Sequence, residues 1–422
     1  MITKAPRGTK DLLPDESYKW QYIERVIRRI TKLFCYMEIR TPTFEHTELF
    51  VRGVGDTTDI VQKEMYTFFD KGERSITLKP EGTAGTVRSY IEHGLYNITQ
   101  PVKMYYITPV FRYENPQAGR LREHHQFGVE AFGGPEASLD AEIITLAITL
   151  FNELGLRGLE VDINSIGCAN CRPRYLEGLR EYFKDHLDNL CNNCVSRYER
   201  NPLRILDCKN ERCTAIRSDA PIILDYLCED CKVHFQELQQ YLSAASIEFK
   251  VNPMIVRGLD YYSKTVFEIL SPGIGAQNTV CGGGRYDGLV SECGGPKTPG
   301  AGFGLGIERL LLTLENQGIE IPRSSTKEVL FVTIGEKARS KAFELLNNLR
   351  VNGISADMDH LGRSVKAQFK YADRVGFSWV CTLGEDELES GTVSVRSMDD
   401  GREESIPQNM LIDYITGEKG AK

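Results

Sequence analysis

The sequence predicts an α+β domain with a mixed, mostly antiparallel sheet, a small helical insertion within it, and an α/β domain at the C-terminus. Residues 102–110 and 126–133 alternate their side chains as the two strands of a long antiparallel hairpin do. Residues 166–245 contain eight of the twelve cysteines and interrupt the strand pattern. Beyond residue 327, strand and helix patterns alternate, which indicates a separate domain with a mostly parallel sheet.

Composition and charge narrow the function classes. A chain of 422 residues is expected to form two or three domains, and 41% hydrophobic with 26% charged residues is typical of a globular protein. No segment approaches the roughly 18 apolar residues of a membrane helix, and the N-terminus lacks the apolar core of a signal peptide. We therefore expect a cytoplasmic protein with no membrane partner. The net charge of -8 gives no overall attraction to nucleic acid, so any RNA binding must depend on local basic patches.

Local patterns predict each element in turn. Residues 15–34 place apolar side chains at helical spacing, and residues 38–45 follow as a strand that contains Pro42. Lys71 and Gly72 form the turn of a short hairpin. Further helices are predicted at residues 85–93, 138–154, 173–187, 229–244, 337–350 and 363–372. The predicted domains are a first domain at 1–165 and 246–318, the insertion at 166–245, a linker at 319–326 and the C-terminal domain at 327–422.

Four motifs carry the chemical signal. They are FRYENPQAGRLREHHQFGVE (111–130), LKPEGT (78–83), RGLDYY (257–262) with CGGGRYD (281–287), and GFGLGIERL (302–310). Together, and in their order along the chain, these motifs resemble those of the histidyl-tRNA synthetase family of class II aminoacyl-tRNA synthetases. The resemblance spans essentially the whole chain. It implies ATP-dependent ligation of L-histidine to tRNA(His) through a histidyl-adenylate. It also implies a homodimer joined through the first helix and strand, and an anticodon-binding role for the C-terminal domain.

Amino-acid activation requires fixed positive charge. Attack of a carboxylate on the α-phosphorus of ATP concentrates negative charge at one phosphate, and a planar guanidinium suits that geometry. Arg112, Arg257 and Arg309 are therefore the predicted catalytic residues. The resemblance assigns the α-phosphate and substrate carboxylate to Arg112, the γ-phosphate to Arg309, and both the reacting carboxylate and the α-phosphate at transfer to Arg257. It also places Glu114 at the adenine amino group and Mg²⁺ on the phosphates.

The resemblance further implies a set of histidine-binding residues. Glu81 and Thr83 would hold the α-amino group, although a plain helix cap is the alternative for polar groups at this place. Glu130 would accept a hydrogen bond from the ring N–H, and Tyr262 would donate one to the other ring nitrogen. The full predicted set is Glu81, Thr83, Arg112, Gln126, Glu130, Arg257, Tyr261 and Tyr262.

The loop within the first motif is long and basic, which suits the acceptor end of a tRNA. Gln117, Arg120 and Arg122 are the candidate contacts, and a mobile surface loop without that role is the alternative.

A second basic segment lies in the C-terminal domain. Residues 327–422 contain thirteen basic and sixteen acidic residues, a net charge of -3, so an RNA contact must be a patch. Arg363, Lys366, Lys370 and Arg374 recur at helical spacing and would form one cationic stripe, with Arg363 and Lys366 as the predicted tRNA contacts. A solvated helix face is the alternative.

The cysteines go beyond what the resemblance requires. CxxC spacing lets two thiolates bind one tetrahedral zinc, and two such pairs complete a closed structural site. Two zinc ions, one zinc with spare thiols, unligated thiols and an iron–sulfur cluster are all compatible with the pattern. A zinc would hold an insertion too small for its own core, and its removal is expected to spare adenylate formation. The predicted ligands are Cys168, Cys171, Cys191, Cys194, Cys208, Cys213, Cys228 and Cys231.

Two functions of other classes share parts of this pattern. A non-catalytic, synthetase-like regulatory subunit of ATP phosphoribosyltransferase would keep the first domain, but such subunits generally lack a C-terminal anticodon domain, and this chain retains RGLDYY. An RNA-binding or metal-sensing module without chemistry would leave the three arginines and Glu81 unexplained together.

Overall fold

The computed structural model describes residues 4–55, 58, 60–208, 210–272, 278–323 and 328–417. The chain divides into two compact units, Met1–Pro322 and Arg323–Lys422. Residues 324–326 of the predicted linker, and residues 327 and 418–422 of the predicted C-terminal domain, lie outside the described part of the chain.

Two sheets organise the first unit. Its strands are β1 (Met37–Glu38), β2 (Phe44–His46), β3 (Tyr66–Phe69), β4 (Ser75–Leu78), β5 (Val102–Phe111), β6 (Glu123–Phe132), β7 (Glu160–Ser165), β8 (Lys250–Val251), β9 (Ser263–Leu270), β10 (Thr279–Arg285) and β11 (Gly300–Gly306). Eight of them form a sheet in the order β1-β5-β6-β11-β10-β9-β7-β8, and β2-β4-β3 form a small antiparallel sheet. Only the outermost pairs of the large sheet, β1–β5 and β7–β8, are parallel. The predicted mixed, mostly antiparallel sheet is confirmed.

Helices cover one face of the large sheet. The helices of this unit are α1 (Pro14–Leu33), α2 (Thr47–Val54), α3 (Thr83–Glu92), α4 (Ala137–Glu153), α5 (Arg172–Lys184), α6 (Asn192–Arg200), α7 (Glu211–Arg217), α8 (Glu229–Ala244), α9 (Leu289–Glu292) and α10 (Ile307–Asn316). The apolar faces of α1, α4 and α10 share one core with Phe127, Val129 and Ala131 of β6. Because side chains alternate along a strand, Gln126 and Glu130 lie on the opposite face of the sheet. The large sheet therefore separates an apolar core from a polar cavity.

The predicted strand at residues 38–45 is wrong as a single element. It divides into β1, which pairs with β5, and β2, which pairs with β4 in the other sheet. Pro42 lies between the two pieces and has no backbone N–H to donate, so pairing stops there.

The insertion contains α5 to α8, and the expectation that it is too small for its own core is wrong, because it has one. Buried aromatic and aliphatic side chains such as Tyr175, Leu179 and Phe183 pack there with the cysteines. The last helix of the insertion, α8, contacts the rest of the first unit. The ring of His234 on α8 lies 2.8 Å from the buried carboxylate of Asp140 on α4. Asp140 also pairs with the buried guanidinium of Arg285.

The second unit is an α/β domain around a five-stranded sheet. Its elements are β12 (Val329–Thr333), α11 (Glu336–Val351), β13 (Ala356–Met358), α12 (Val365–Val375), β14 (Trp379–Leu383), α13 (Glu385–Ser390), β15 (Thr392–Ser397), β16 (Glu403–Pro407) and α14 (Leu411–Gly417). In the order β13-β12-β14-β15-β16, the first three strands are parallel and the last two are antiparallel. The expectation of a mostly parallel sheet thus misses a terminal hairpin. The turn of this hairpin contains Asp400 and Gly401, and Gly401 has a φ of 72°. An Asp-Gly pair between two strand patterns is the sequence signal that predicts such a hairpin. No helix in the described ranges of either unit is long and apolar enough to span a bilayer.

The end of the first unit yields a prediction about truncation. Ile319 and Ile321 pack against the core that α1, α4 and α10 share with β6. The Ile319 amide also donates to the Leu314 carbonyl at 2.9 Å. A chain that ends at Gln317 should therefore unfold at a lower temperature than one that ends at Pro322. The lost apolar burial corresponds to about 1–3 kcal/mol of unfolding free energy. Calorimetry of the two truncated chains checks this, and equal melting temperatures would contradict the packing role of the two isoleucines.

Candidate active site

A cavity of about 230 Å³ opens on the polar face of the large sheet. The start of α3, the hairpin β5–β6, the loop before β9, and strands β10 and β11 enclose it. All eight predicted histidine-binding residues line it, namely Glu81, Thr83, Arg112, Gln126, Glu130, Arg257, Tyr261 and Tyr262. These eight residues come from three of the four motifs, and residues 302–306 of the fourth motif line the same cavity.

Glu130 is almost fully buried in the wall of this first cavity. Its carboxyl group accepts hydrogen bonds from the hydroxyls of Thr83 at 2.7 Å and Tyr106 at 3.1 Å, and also from the hydroxyl of Tyr286. Burial raises the pKa of Glu130 to about 8, and the hydroxyl donors only partly oppose that rise. On β11, a side chain at Gly302 would collide with this carboxyl group.

Glu81 has a structural role as well as a place in the cavity. Its two carboxyl oxygens accept from the backbone amides of Thr83 at 2.8 Å and Ala84 at 2.7 Å, which lie in the first turn of α3. The helix-cap alternative therefore holds together with the exposure of Glu81 to the cavity. Burial raises the pKa of its carboxyl group.

A second cavity, of about 760 Å³, adjoins the first. Arg112, Arg257, His124 and several glycines line both cavities, and Glu114 and Arg309 line the second alone. The predicted catalytic and ATP-binding residues are thus brought together. Burial lowers the pKa of His124 to about 3, so its imidazole is neutral.

Each of the three arginines has a partner that orients it. Arg112 donates from Nε to the Pro80 carbonyl at 2.7 Å, and Arg309 donates from Nη1 to the Thr279 carbonyl at 2.8 Å. Arg257 forms an ion pair with Glu268. Burial disfavours the charge of Arg257, but the carboxylate of Glu268 outweighs it and raises the pKa of the guanidinium.

Comparison with known proteins decides the family. A family model described as histidyl-tRNA synthetase matches residues 8–310, and one described as an anticodon binding domain matches residues 328–418. The chain belongs to the histidyl-tRNA synthetase family. It is 60% identical over 415 residues to the histidine–tRNA ligase of Caldanaerobacter subterraneus subsp. tengcongensis, which covers 98% of this chain and 99% of that protein. The histidine–tRNA ligase of Clostridioides difficile is 57% identical over 416 residues, 98% of this chain and 99% of that protein.

A solved structure agrees with this assignment. The apo histidyl-tRNA synthetase of S. aureus matches with a TM-score of 0.84 at 42% identity, over 98% of this chain and 99% of that one. The predicted family, class II fold and histidine–tRNA ligase activity are confirmed, and the regulatory-subunit alternative is not favoured. As a class II synthetase the chain uses ATP with Mg²⁺, and its substrates are histidine and tRNA.

Sequence reasoning missed three residues of this synthetase site. Tyr106 and Tyr286 donate to Glu130, and Glu268 pairs with Arg257. Tyr286 lies in the CGGGRYD motif, so the motif offered a signal for it. Tyr106 occupies the space that the absent side chains of Gly82 and Gly128 leave, and only the fold brings these glycines beside it.

Contacts within the predicted tRNA-binding loop connect its candidate residues. Gln117 and Arg120 exchange backbone hydrogen bonds at 3.1 and 2.9 Å across its tip, and Arg120 pairs with Glu114 at 3.1 Å. Arg122 stacks on the ring of Tyr113 at 3.7 Å. Of the three candidates, Gln117 is exposed, and both arginines are half-buried.

In the second unit, the prediction that Arg363 lies on a cationic helix stripe is wrong. Arg363 precedes the N-cap residue Ser364, and its guanidinium pairs with the buried carboxylate of Asp359 at 2.6 Å. Ser364 favours the N-cap over the helix interior, which moves the helix start past Arg363. Lys366, Lys370 and Arg374 remain exposed at four-residue steps on α12.

The eight cysteines of the insertion form two groups of four. Within each group the sulfur atoms all lie within 4.8 Å of one another, and the groups are Cys168, Cys171, Cys228 and Cys231 (cluster 1) and Cys191, Cys194, Cys208 and Cys213 (cluster 2). Sulfur atoms lie 3.7 Å apart for Cys168 and Cys171, and 3.8 Å apart for Cys191 and Cys208. Four thiolates about 2.3 Å from a tetrahedral zinc lie about 3.8 Å from each other, so both groups fit that ion.

The raised pKa of Glu130 predicts a pH dependence of stability. Because the folded state holds this proton up to about pH 8 and the unfolded state releases it near the ordinary value, stability falls as pH rises between these values. Between pH 6 and pH 8, the wild type should lose about 2–3 kcal/mol of unfolding free energy relative to Glu130→Gln. Denaturant titrations of both proteins at the two pH values measure this. A constant difference between them would contradict the raised pKa.

Proposed function

We propose that the first cavity binds L-histidine and that the second binds ATP. The two substrates react to form histidyl-adenylate and pyrophosphate, and the histidyl group is then transferred to tRNA(His). The single observation that carries this proposal is that Arg112 and Arg257 line both cavities. A carboxylate in the first cavity and an α-phosphate in the second would meet between these guanidinium groups. Positive charge there opposes the repulsion of two anions and stabilises the transition state.

Within the first cavity, acidic and hydroxyl groups select the amino acid. Glu81 and Thr83 hold the α-amino group, and Gln126 lies near the amino and carboxylate groups. Glu130 accepts from the ring N–H, and Tyr262 donates to the second ring nitrogen. An apolar side chain would leave Glu130 and the tyrosines without partners, so such amino acids are rejected. Tyr261 completes the wall, and Tyr106 and Tyr286 hold the Glu130 carboxyl in place.

In the second cavity, arginines bind the phosphates. Arg112 contacts the α-phosphate and the substrate carboxylate, Arg257 the reacting carboxylate, and Arg309 the γ-phosphate. Glu114 meets the adenine amino group. The ATP enters with Mg²⁺ on its phosphates, which offsets their charge.

The remaining assignments concern partners and location. Gln117, Arg120 and Arg122 contact the acceptor end, and Lys366 with Arg363 contacts the anticodon arm. The first unit, with residues 166–245 as its insertion, performs activation, and the second reads the anticodon. The protein is cytoplasmic and forms a homodimer. Exposed apolar side chains beside an edge strand, those of Leu33, Met37 and Phe44, support the homodimer.

We also propose that each cysteine cluster holds one structural zinc. Backbone N–H groups point at sulfur in both clusters, from Cys228 to Cys171 at 3.1 Å and from Cys191 to Cys213 at 3.3 Å. Such donors stabilise negative charge on thiolate ligands. Spacing, sulfur distances and donors together favour zinc over unligated thiols, and the spacing is unlike that of common iron–sulfur sites.

The activity is tested by histidine-dependent exchange of pyrophosphate into ATP. The wild type should catalyse it, whereas a regulatory subunit or a binding module should not. Arg257→His should lower kcat of exchange by about a hundredfold or more and change ATP binding far less, because the guanidinium acts on charge that develops in the transition state. Arg180→Ala, at an exposed position of α5, is the control. A raised KM with unchanged kcat in Arg257→His would rule out the assigned role.

Zinc is tested by elemental analysis of protein purified without chelator. We expect about two zinc ions per chain. Cys208→Ser should lower that number by about one, and Cys35→Ser, at an exposed cysteine outside both clusters, should leave it unchanged. Less than about half a zinc per chain, with all eight thiols freely titratable, would refute the proposal.

A further inference from the structure

The loop that carries the RGLDYY motif has no regular secondary structure. Residues 252–262 contain neither helix nor strand, yet they place Arg257, Tyr261 and Tyr262 in the first cavity. Sheet hydrogen bonds therefore do not fix this stretch of backbone. Its conformation must depend on groups outside the loop.

Two arginines of the insertion hold the loop by its carbonyl groups. Arg204 donates from Nη1 to the Arg257 carbonyl at 3.0 Å and from Nη2 to the Gly258 carbonyl at 2.9 Å. The same Nη2 lies 2.8 Å from the carboxylate of Asp260. At the end of the loop, Arg172 donates to the Tyr262 carbonyl. Charge-assisted hydrogen bonds from a planar guanidinium fix both position and orientation of the backbone.

Each of these arginines lies beside a cysteine cluster. Arg172 directly follows Cys171 of cluster 1, and Arg204 lies in a 3-10 turn, Pro202–Ile205, that ends shortly before Cys208 of cluster 2. The side chain of Arg204 is only 12% exposed, so its place is fixed by the packing of this turn. An ion in cluster 2 would tie the turn to α6 through Cys191 and Cys194.

We infer that Arg204 is a positioning residue for histidine activation, and that a metal ion in cluster 2 fixes Arg204 against the loop. The inference rests on the proposed activity and deepens it, because the insertion then helps to shape the histidine pocket. Loss of metal from cluster 2 would disturb the backbone that carries Arg257 and Tyr262. Removal of this metal ion should therefore impair adenylate formation, contrary to the expectation from the sequence that it spares this step.

Arg204 variants test the first half of this inference, because they keep all eight cysteines. Arg204→Ala should raise the KM for histidine and lower kcat of exchange, reducing kcat/KM by about tenfold to a hundredfold, with a much smaller change in the KM for ATP. Arg204→Lys should restore part of the loss, because a lysine can donate to one carbonyl. The control Arg180→Ala is in the same insertion and should behave as wild type. Metal content should be unchanged in Arg204→Ala, Arg204→Lys and Arg180→Ala.

Loop order is measured without substrates by hydrogen–deuterium exchange of the peptide 255–262. Arg204→Ala should exchange faster there than wild type, and Cys208→Ser, which lacks one cluster 2 ligand, should show the same local increase and the same rise in KM. Kinetics of Arg204→Ala equal to those of Arg180→Ala would overturn the inference. So would a wild-type KM in Cys208→Ser after loss of one metal ion.

Failure of the proposed activity would look different. A wild-type chain without histidine-dependent exchange would refute the ligase assignment, while the exchange rate of the loop peptide in Arg204→Ala still decides whether Arg204 holds the loop. An unfolded Cys208→Ser leaves the decision to the Arg204 variants and to wild type treated with a chelator, whose loop peptide should also exchange faster.

Discussion

The buried carboxyl group of Glu130 is the constraint on which the site depends. A carboxyl group away from water is costly unless its oxygens are hydrogen-bonded, and here the donors come from three elements far apart in sequence. Thr83 begins α3, Tyr106 lies on β5, and Tyr286 follows β10. Gly302 on β11 leaves the room that this carboxyl group occupies. The hydrogen bonds that satisfy one group therefore also fix the order and spacing of the elements around the cavity.

The charges of the site are arranged in sequence from this point outward. Glu81 and Glu130 line the first cavity alone, Arg112 and Arg257 line both cavities, and Arg309 lines the second alone. An amino acid with a cationic end and an anionic end matches this order only when its carboxylate faces the arginines. The ion pair between Arg257 and Glu268 keeps one of these cations charged and oriented before any substrate arrives. Such preorganisation avoids reorientation of the site during the reaction.

Local patterns predicted what depends on local physics. Alternation predicted both strands of the β5–β6 hairpin. The eight histidine-binding residues, which line one cavity, came from the family resemblance and not from a local pattern. Patterns failed where a partner is distant in sequence. Glu268 and Tyr106 acquire their roles from strands that pair only in the folded sheet. They also failed at element ends, since α12 begins after Ser364, whereas the charge spacing had placed its start at Arg363.

The insertion shows how a small module can affect a neighbouring site. Among the described residues, five of the fourteen buried side chains in its core are cysteines, so larger aliphatic and aromatic side chains contribute only part of the apolar burial. Metal binding would supply the missing free energy, because ligands that are separated in the unfolded chain meet only in the folded one. An ordered insertion would hold Arg172 and Arg204 in place. Their hydrogen bonds to the carbonyls of the RGLDYY loop would then fix the backbone of that loop. A loop without sheet pairing can thus be as well defined as a strand, provided that the groups donating to its carbonyls are themselves fixed.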